Sequence, residues 1–171
     1  MITESMAKLL NEQINHELCS AHVYQQMSAW ANFNGFHGAA SFLMAQANEE
    51  RDHMQKIFDY VLLTGHMPIL GDMPTINPNF DDLEAIFKQA YAQELNITEK
   101  INKITHEAIT THDYSTFEFM QWYIVEQREE EDLFRTILDK FEMLRGEANA
   151  NYFIDKELAA IRTGAVADVA E

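Results

Sequence analysis

The residues that interrupt helices stand at only a few positions of this chain, and their distribution constrains the fold. All three prolines lie between positions 66 and 80, and the six glycines stand at positions 35, 38, 65, 71, 146 and 164. Since proline and glycine disfavour helix interiors, the long stretches between these positions are predicted to be helices. The predicted helices cover about residues 3–32, 37–64, 81–110 and 115–144, followed by a short helix at about 150–161 and a frayed tail at 162–171.

The segment 66–80, which holds the prolines, predicts how the helices are connected. Its fifteen residues would span up to about 50 Å when extended, whereas a helix of some twenty-six residues is about 39 Å long. The second and third helices can therefore run parallel, while the short turns near residues 35 and 112 make their neighbours antiparallel. The predicted fold is all-α: a four-helix bundle with a long crossover between helices 2 and 3 and a short fifth helix.

Composition limits the class of protein. A chain of 171 residues that is 47% hydrophobic can form one domain over residues 1–171. A net charge of −16 argues against a nucleic-acid partner, because phosphate contacts require clustered Lys and Arg. The single cysteine excludes a disulfide framework and fits a reducing cytoplasm. With no signal peptide at the N-terminus and no apolar run long enough to span a bilayer, we expect a cytoplasmic protein without a membrane partner.

Each predicted long helix carries an apolar stripe that is broken near its middle by a carboxyl or amide group. The interrupting residues are Glu17, Glu50, Glu94 and the pair Gln127 and Glu130. Glu94 and Glu130 each lie eighteen residues from the turn at 112, which puts them at one depth in an antiparallel pair. Glu17 and Glu50 lie nineteen and fourteen residues from the turn near 36. Any one of these acids could instead lie at the edge of its stripe and face solvent, but this is a poor explanation for all four helices.

Several carboxylates in one apolar core predict a metal site. Buried and unpaired, each charge would cost several kcal/mol. Glu50 and His53 form a Glu-x-x-His pair on one helix face, so an oxygen and an imidazole nitrogen can converge on one ion. Many oxygen ligands, one imidazole and no thiolate favour iron or manganese over structural zinc. Because the acids exceed the need of one ion, we predict two metals that share a bridging carboxylate.

Neighbouring residues have two interpretations each. Tyr24, two turns after Glu17 on the same face, could bond a ligand or donate an electron, or could be a core tyrosine. Trp122 and Tyr123 could be redox relays or packing residues, and we favour packing. The acids that flank the core, namely Glu49, Glu126 and Glu129, could hold a third metal or could be solvated, and we favour the third site.

These motifs resemble the ferritins, and specifically the bacterial non-haem ferritins, over nearly the whole chain. The matching segments are 11–17, 24–30, 49–55, 121–123, 126–131 and 152–158. The resemblance implies a ferritin-like bundle assembled into a hollow homo-oligomeric cage of twenty-four subunits. It also implies oxidation of Fe(II) by O2 or H2O2 at a ferroxidase centre within each subunit, followed by storage of the iron as hydrated ferric oxide in the cavity.

The resemblance also implies roles for individual residues. The first iron would be held by Glu17, Glu50 and His53, and the second by Glu50, Glu94 and Glu130, with Glu50 as the bridge. Gln127 and Tyr24 match a glutamine and a tyrosine that ferritins place beside the irons. A third iron would be held by Glu49, Glu126, Glu129 and Glu130.

Departures from related families refine this prediction. Bacterioferritins repeat Glu-x-x-His in the fourth helix, where this chain has Gln127-Arg128-Glu129-Glu130. They also place a haem-ligating methionine where this chain has Arg51, so no haem is expected. Two alternatives remain open: a passive iron-binding or buffering cage without efficient ferroxidase turnover, and a dedicated di-iron or di-manganese oxidase.

Overall fold

The structure, a computed structural model, describes residues 2–165, with side chains described through residue 161. Apart from the connections between helices, the chain is helical over this range, as predicted. The helices are α1 (Glu4–Phe33), α2 (His37–Leu63), α3 (Leu83–Thr110), α4 (Tyr114–Met143) and α5 (Ala150–Ala165). α5 is longer than predicted, and positions 166–171 of the predicted tail lie outside the described residues. None of the described helices is long and apolar enough to cross a membrane.

Local side-chain caps start three of the long helices. Thr3, Asp82 and Asp113 each accept a hydrogen bond from the backbone N–H three residues later, at 3.1, 2.7 and 3.1 Å. Each bond satisfies a donor that has no partner inside its own helix. α1 and α2 are followed by Gly35 and Gly65, whose φ angles of +85° and +83° are accessible to glycine at little cost.

α2 is capped by a residue distant in sequence. Its N-cap, Phe36, has no side-chain acceptor. Instead, a carboxylate oxygen of Asp155 on α5 accepts a hydrogen bond of 2.8 Å from the N–H of Ala39. The backbones also approach closely, because a Cβ built on Gly38 would lie 1.8 Å from the Asp155 carbonyl oxygen. Glycine at position 38 therefore lets α5 pack against the start of α2.

Hydrogen bonds between helices establish the topology. Gln46 bonds Glu130 and Tyr60 bonds Thr116, so α2 and α4 run in opposite directions. α3 is antiparallel to α4 because a short turn joins them, and α2 and α3 are therefore parallel. The connection between them returns along the bundle past α1, where Asn15 accepts a 2.6 Å hydrogen bond from the N–H of Gly71. The predicted crossover is confirmed.

The buried side chains form two apolar clusters with polar residues between them. One cluster includes Tyr24, Phe42, Phe87 and Phe134 and extends to Ile154 and Leu158 of α5. The other includes Met6, Leu10, Ile57, Met120 and Tyr123. The buried polar and charged side chains are Gln13, Glu17, Ser20, Ser28, Gln46, Glu50, His53, Glu94, Thr116, Gln127 and Glu130. Most of this set lies near the middle of the long helices, so the bundle has a polar waist between two apolar halves.

Candidate metal centre

Four buried carboxyl groups, one from each long helix, lie together in the polar waist. Glu17, Glu50, Glu94 and Glu130 are 0%, 3%, 1% and 6% exposed. Burial raises the pKa of Glu50 well above its usual range, and the neighbouring Glu17, Glu94 and Glu130 carboxyls raise it further. The chain thus brings together the four acids that interrupt the predicted apolar stripes, including the pair Glu94 and Glu130 that was predicted to lie at one depth. Their role as iron ligands stays a prediction.

Glu17, Glu50 and His53 form a compact group of possible ligands. One ligand atom from each residue lies within 4.8 Å of the others, and His53 Nδ1 is 3.7 Å from Glu50 Oε2. Neither Glu17 Oε2 nor Glu50 Oε2 has a hydrogen-bond partner among the described residues, although both atoms are buried. Leaving such atoms unsatisfied is costly, and a cation among them would remove the cost.

Glu94 is held by two neighbours. Its carboxylate accepts hydrogen bonds from the Tyr24 hydroxyl and from the Gln127 amide at 2.8 Å. The same Gln127 amide nitrogen donates to the Glu94 backbone carbonyl at 3.0 Å. Burial raises the pKa of Glu94 to about 7, against the opposing effect of these two side-chain bonds. Tyr24 and Gln127, both predicted from the sequence, therefore fix the orientation of one candidate ligand.

Glu130 has one amide partner and several acidic neighbours. Gln46 donates a 2.9 Å hydrogen bond to its carboxylate. Burial raises the pKa of Glu130 to about 8, and the charges of Glu49, Glu94 and Glu126 add to the effect. In the absence of a cation, Glu130 is largely protonated at neutral pH, so protons compete with metal for this carboxyl group.

Two buried amides of the centre were not predicted from the sequence. Gln13 donates a hydrogen bond to Glu17, as Gln46 does to Glu130, and both amides are at most 2% exposed. Their spacing was an available signal, because Gln13 lies four residues before Glu17 and Gln46 four residues before Glu50. An amide one turn before a core carboxylate lies on the same helix face and can support the site.

A second group of possible ligands lies beside the first and shares His53. Ligand atoms of Glu49, His53 and Glu126 lie within 4.8 Å of one another, and both acids are half-buried. His53 Nε2 is 4.0 Å from Glu126, so the two ring nitrogens face different groups. Glu129 is exposed and lines a surface depression with Arg128 and Asp132. The structure therefore does not bring Glu129 into this group.

Aromatic side chains close one side of the centre. Trp122 and Tyr123 stack with ring centroids 4.6 Å apart and an interplanar angle of 2°, and both rings lie within 5.6 Å of the His53 ring. Lys56 Nζ lies 4.2 Å above the Trp122 ring. The predicted packing role accounts for the rings of both residues.

The bundle and its carboxylate-rich waist define the class of protein. The Ferritin family, described as a ferritin-like domain, matches residues 7–144. The chain belongs to this family. It is 45% identical over 163 residues to a bacterial non-heme ferritin of Escherichia coli, with 95% of this chain and 99% of that protein covered. It is 40% identical over 161 residues to the bacterial non-heme ferritin of Campylobacter jejuni, with 94% and 96% covered.

Solved structures give the same class. The open pore ferritin of the hyperthermophilic archaeon Archaeoglobus fulgidus superposes with a TM-score of 0.90 at 34% identity, covering 92% of this chain and 96% of that chain. A closed form of that ferritin, engineered by site-directed mutagenesis, gives a TM-score of 0.89, with 93% and 97% covered. The fold predicted from the sequence, a ferritin-like bundle with a short fifth helix, is confirmed.

Proposed function

We propose that this protein is an iron-storage ferritin that oxidises Fe(II) at a di-iron ferroxidase centre inside the subunit. One observation carries the proposal: Glu17 Oε2 and Glu50 Oε2 are buried without a hydrogen-bond partner among the described residues, and one ligand atom from each of Glu17, Glu50 and His53 lies within 4.8 Å of the others. The names of the curated relatives, bacterial non-heme ferritins, support iron as the ion. Because these names specify non-heme proteins, the proposed centre contains no haem.

The proposed ligand roles follow the two parts of the centre. Glu17, Glu50 and His53 bind the first Fe(II). The second is bound by Glu50, Glu94 and Glu130, so that Glu50 bridges the pair. Tyr24 and Gln127 act on the second site by orienting Glu94, to which both donate hydrogen bonds.

A third iron binds beside the pair, between Glu49 and Glu126, with Glu130 close to both. The raised pKa of Glu130, caused in part by these two acids, supports this closeness. Since Glu49 and Glu126 are half-buried, this ion is more accessible than the other two. Glu129, whose side chain is exposed, is the fourth proposed ligand of this ion.

The proposed reaction balances with two ions per dioxygen. Each Fe(II) gives one electron to O2 and becomes Fe(III). The O2 takes up two protons and leaves as H2O2. Anionic ligands stabilise Fe(III) more than Fe(II), which favours this direction. H2O2 can serve as an oxidant in turn: it takes one electron from each of two further Fe(II) ions and two protons, and yields two water molecules. Fe(III) then leaves the centre and is stored as hydrated ferric oxide inside a homo-oligomeric cage of twenty-four subunits in the cytoplasm.

Stopped-flow oxidation of Fe(II) tests the enzymatic part of the proposal. Glu50→Ala and His53→Ala should each slow oxidation by at least about tenfold, because each removes a ligand of the first iron. Glu99→Ala, at an exposed acid of α3, is the matched control and should keep the wild-type rate. Equal rates for all four proteins would indicate a passive iron-binding cage.

Gel filtration tests the assembly. A cage would elute as a very large particle, whereas a dedicated di-iron or di-manganese oxidase would elute as a monomer or a small oligomer. Elution as a small species would contradict the storage function, whatever the oxidation rate.

A further inference from the structure

Three buried polar atoms without hydrogen-bond partners lie on one side of the centre. They are Glu17 Oε2, Glu50 Oε2 and the Tyr123 hydroxyl, and none of them has a partner among residues 2–161; the indole nitrogen of Trp122, whose ring stacks on Tyr123, is also buried without one. Glu17 and Gln13 lie next to the Tyr123 hydroxyl, but neither forms a hydrogen bond of good geometry with it. Such atoms are uncommon in folded proteins, and each requires an explanation.

The three atoms differ in what they require. The two carboxylate oxygens are acceptors, and a pair of iron ions would satisfy both. A neutral tyrosine hydroxyl carries a hydrogen that requires an acceptor, and a cation is not one. The neighbouring acceptor is the Glu17 carboxylate, but one of its oxygens already accepts a hydrogen bond from Gln13, and the other, Oε2, is the atom that would bind iron. An oxygen atom that arrives with the reactants is the acceptor that the site still lacks.

The hydroxyl is held firmly in place. The Tyr123 ring is fully buried, stacks on Trp122, and lies 5.4 Å from the His53 ring, centroid to centroid. The other tyrosine of the centre is different, because the Tyr24 hydroxyl is already bonded to Glu94. Of these two tyrosines, Tyr123 is therefore the one whose hydroxyl is free to bond a reactant.

We propose that the Tyr123 hydroxyl is a hydrogen-bond donor that holds the oxygen reactant, dioxygen or peroxide, on the Glu17 and Glu50 side of the iron pair. The inference rests on the proposed ferroxidase function and adds a specific contact to it. Tyr123 gives up neither an electron nor a proton. The two Fe(II) ions supply both electrons, and the hydroxyl stabilises the negative charge that develops on oxygen during the transfer.

Tyr123→Phe tests this role with little disturbance, because it keeps the ring and removes only the hydroxyl. The matched control is Tyr60→Phe, which also removes one hydroxyl, bonded to Thr116 at 2.9 Å, from a ring stacked on Phe119. Anaerobic titration with Fe(II) should give wild-type stoichiometry for both variants. With O2 varied in a stopped-flow experiment, Tyr123→Phe should raise the KM for O2 or lower kcat by about fivefold or more, and Tyr60→Phe should change neither.

Two other results for Tyr123→Phe would overturn the inference. An unchanged O2 dependence in Tyr123→Phe would show that the hydroxyl does not bond the reactant, while the ferroxidase proposal would stand. Loss of Fe(II) binding in Tyr123→Phe would show that the hydroxyl supports the ligands instead. If the wild type also fails to oxidise Fe(II), the proposed function fails, and the crystallographic readout below still tests the contact.

A crystal structure with Co(II), which avoids turnover, tests the geometry separately. The inference requires an ordered non-protein oxygen at about 2.5–3.0 Å from the Tyr123 hydroxyl, near the ions. This oxygen should be lost or displaced in Tyr123→Phe. If the hydroxyl turns to bond Glu17 once the metal is bound, or if no oxygen lies near it, the inference is wrong.

Discussion

The backbone N–H of Ala39, in the first turn of α2, donates a 2.8 Å hydrogen bond to the side chain of Asp155 on α5. The residues are 116 positions apart in the sequence. Asp155 therefore does for α2 what Thr3, Asp82 and Asp113 do for the other long helices, and its charge also suits the positive end of the helix dipole. A cap on α2 and the packing of α5 thus depend on one side chain.

Removing this cap should destabilise the start of α2 and the packing of α5. Asp155→Ala is expected to lower the free energy of unfolding by about 1–2 kcal/mol, because one N-terminal donor of α2 loses its acceptor. Asp155→Asn, which keeps an acceptor oxygen, should recover most of the loss. Chemical denaturation of the three proteins measures the effect, and equal stabilities would show that water replaces the carboxylate.

Gly38→Ala should displace α5. The new Cβ would lie 1.8 Å from the backbone carbonyl oxygen of Asp155, which cannot move without its helix. We expect a loss of about 1–3 kcal/mol and faster proteolysis of the chain after Met143. Gly71→Ala is the matched control, since its Cβ would meet only the Asn15 side chain, at 3.4 Å. If Gly38→Ala is as stable as this control, the close approach of the helices is not essential.

Replacing Gln46 by leucine should weaken the second metal site at neutral pH. The Gln46 bond holds down the pKa of Glu130, which is already raised to about 8, so its loss leaves the carboxyl more firmly protonated. Anaerobic Co(II) titration near pH 6.5 should show a larger affinity loss for Gln46→Leu than titration near pH 8.5. Gln55→Leu, at an exposed residue of the same helix, should match the wild type at both pH values.

The Glu130 carboxyl should make the metal-free protein less stable as pH rises. Its pKa is raised from 4.5 to about 8 by burial and by neighbouring acids. Between these values the folded chain keeps a proton that the unfolded chain has released. The stability that this group contributes is therefore fully present below pH 4.5 and is lost as pH rises through about 8.

Glu130→Gln removes this dependence. With a chelator present, the melting temperature of Glu130→Gln minus that of the wild type should increase between about pH 5 and pH 8.5. Glu99→Gln, at an exposed position of α3, is the control for a change of one charge. A constant difference between Glu130→Gln and the wild type would show that Glu130 is not held protonated. At high pH and saturating metal, the wild type should have the higher melting temperature, because only its Glu130 side chain is an anionic ligand.

The sequence predicts much of the fold because helix periodicity and helix breakers are local signals. The positions of the breakers located the long helices and the crossover, and a broken apolar stripe identified Glu17, Glu50, Glu94 and Glu130. Periodicity shows which helix face a residue occupies, but not the partner that it meets there.

The features that the sequence did not predict depend on such partners. Asp155 caps a helix 116 residues away, and no local pattern indicates this. Gln46 precedes Glu50 by one turn yet donates to Glu130 on α4. Glu129 is adjacent to Glu130 in the sequence, but a step of one residue turns its side chain about 100° around the helix, and it lies in the solvent.

The polar waist links metal binding to the stability of the folded chain. When no ion is bound, the two apolar halves of the bundle are separated by buried carboxyl groups that must hold protons or leave oxygens without partners, and this layer is the weakest part of the core. Each ion that binds there draws helices from different parts of the chain together, so that iron supply and resistance to unfolding become linked. A subunit without bound iron would then unfold first at its middle, where the proposed oxidation of Fe(II) takes place.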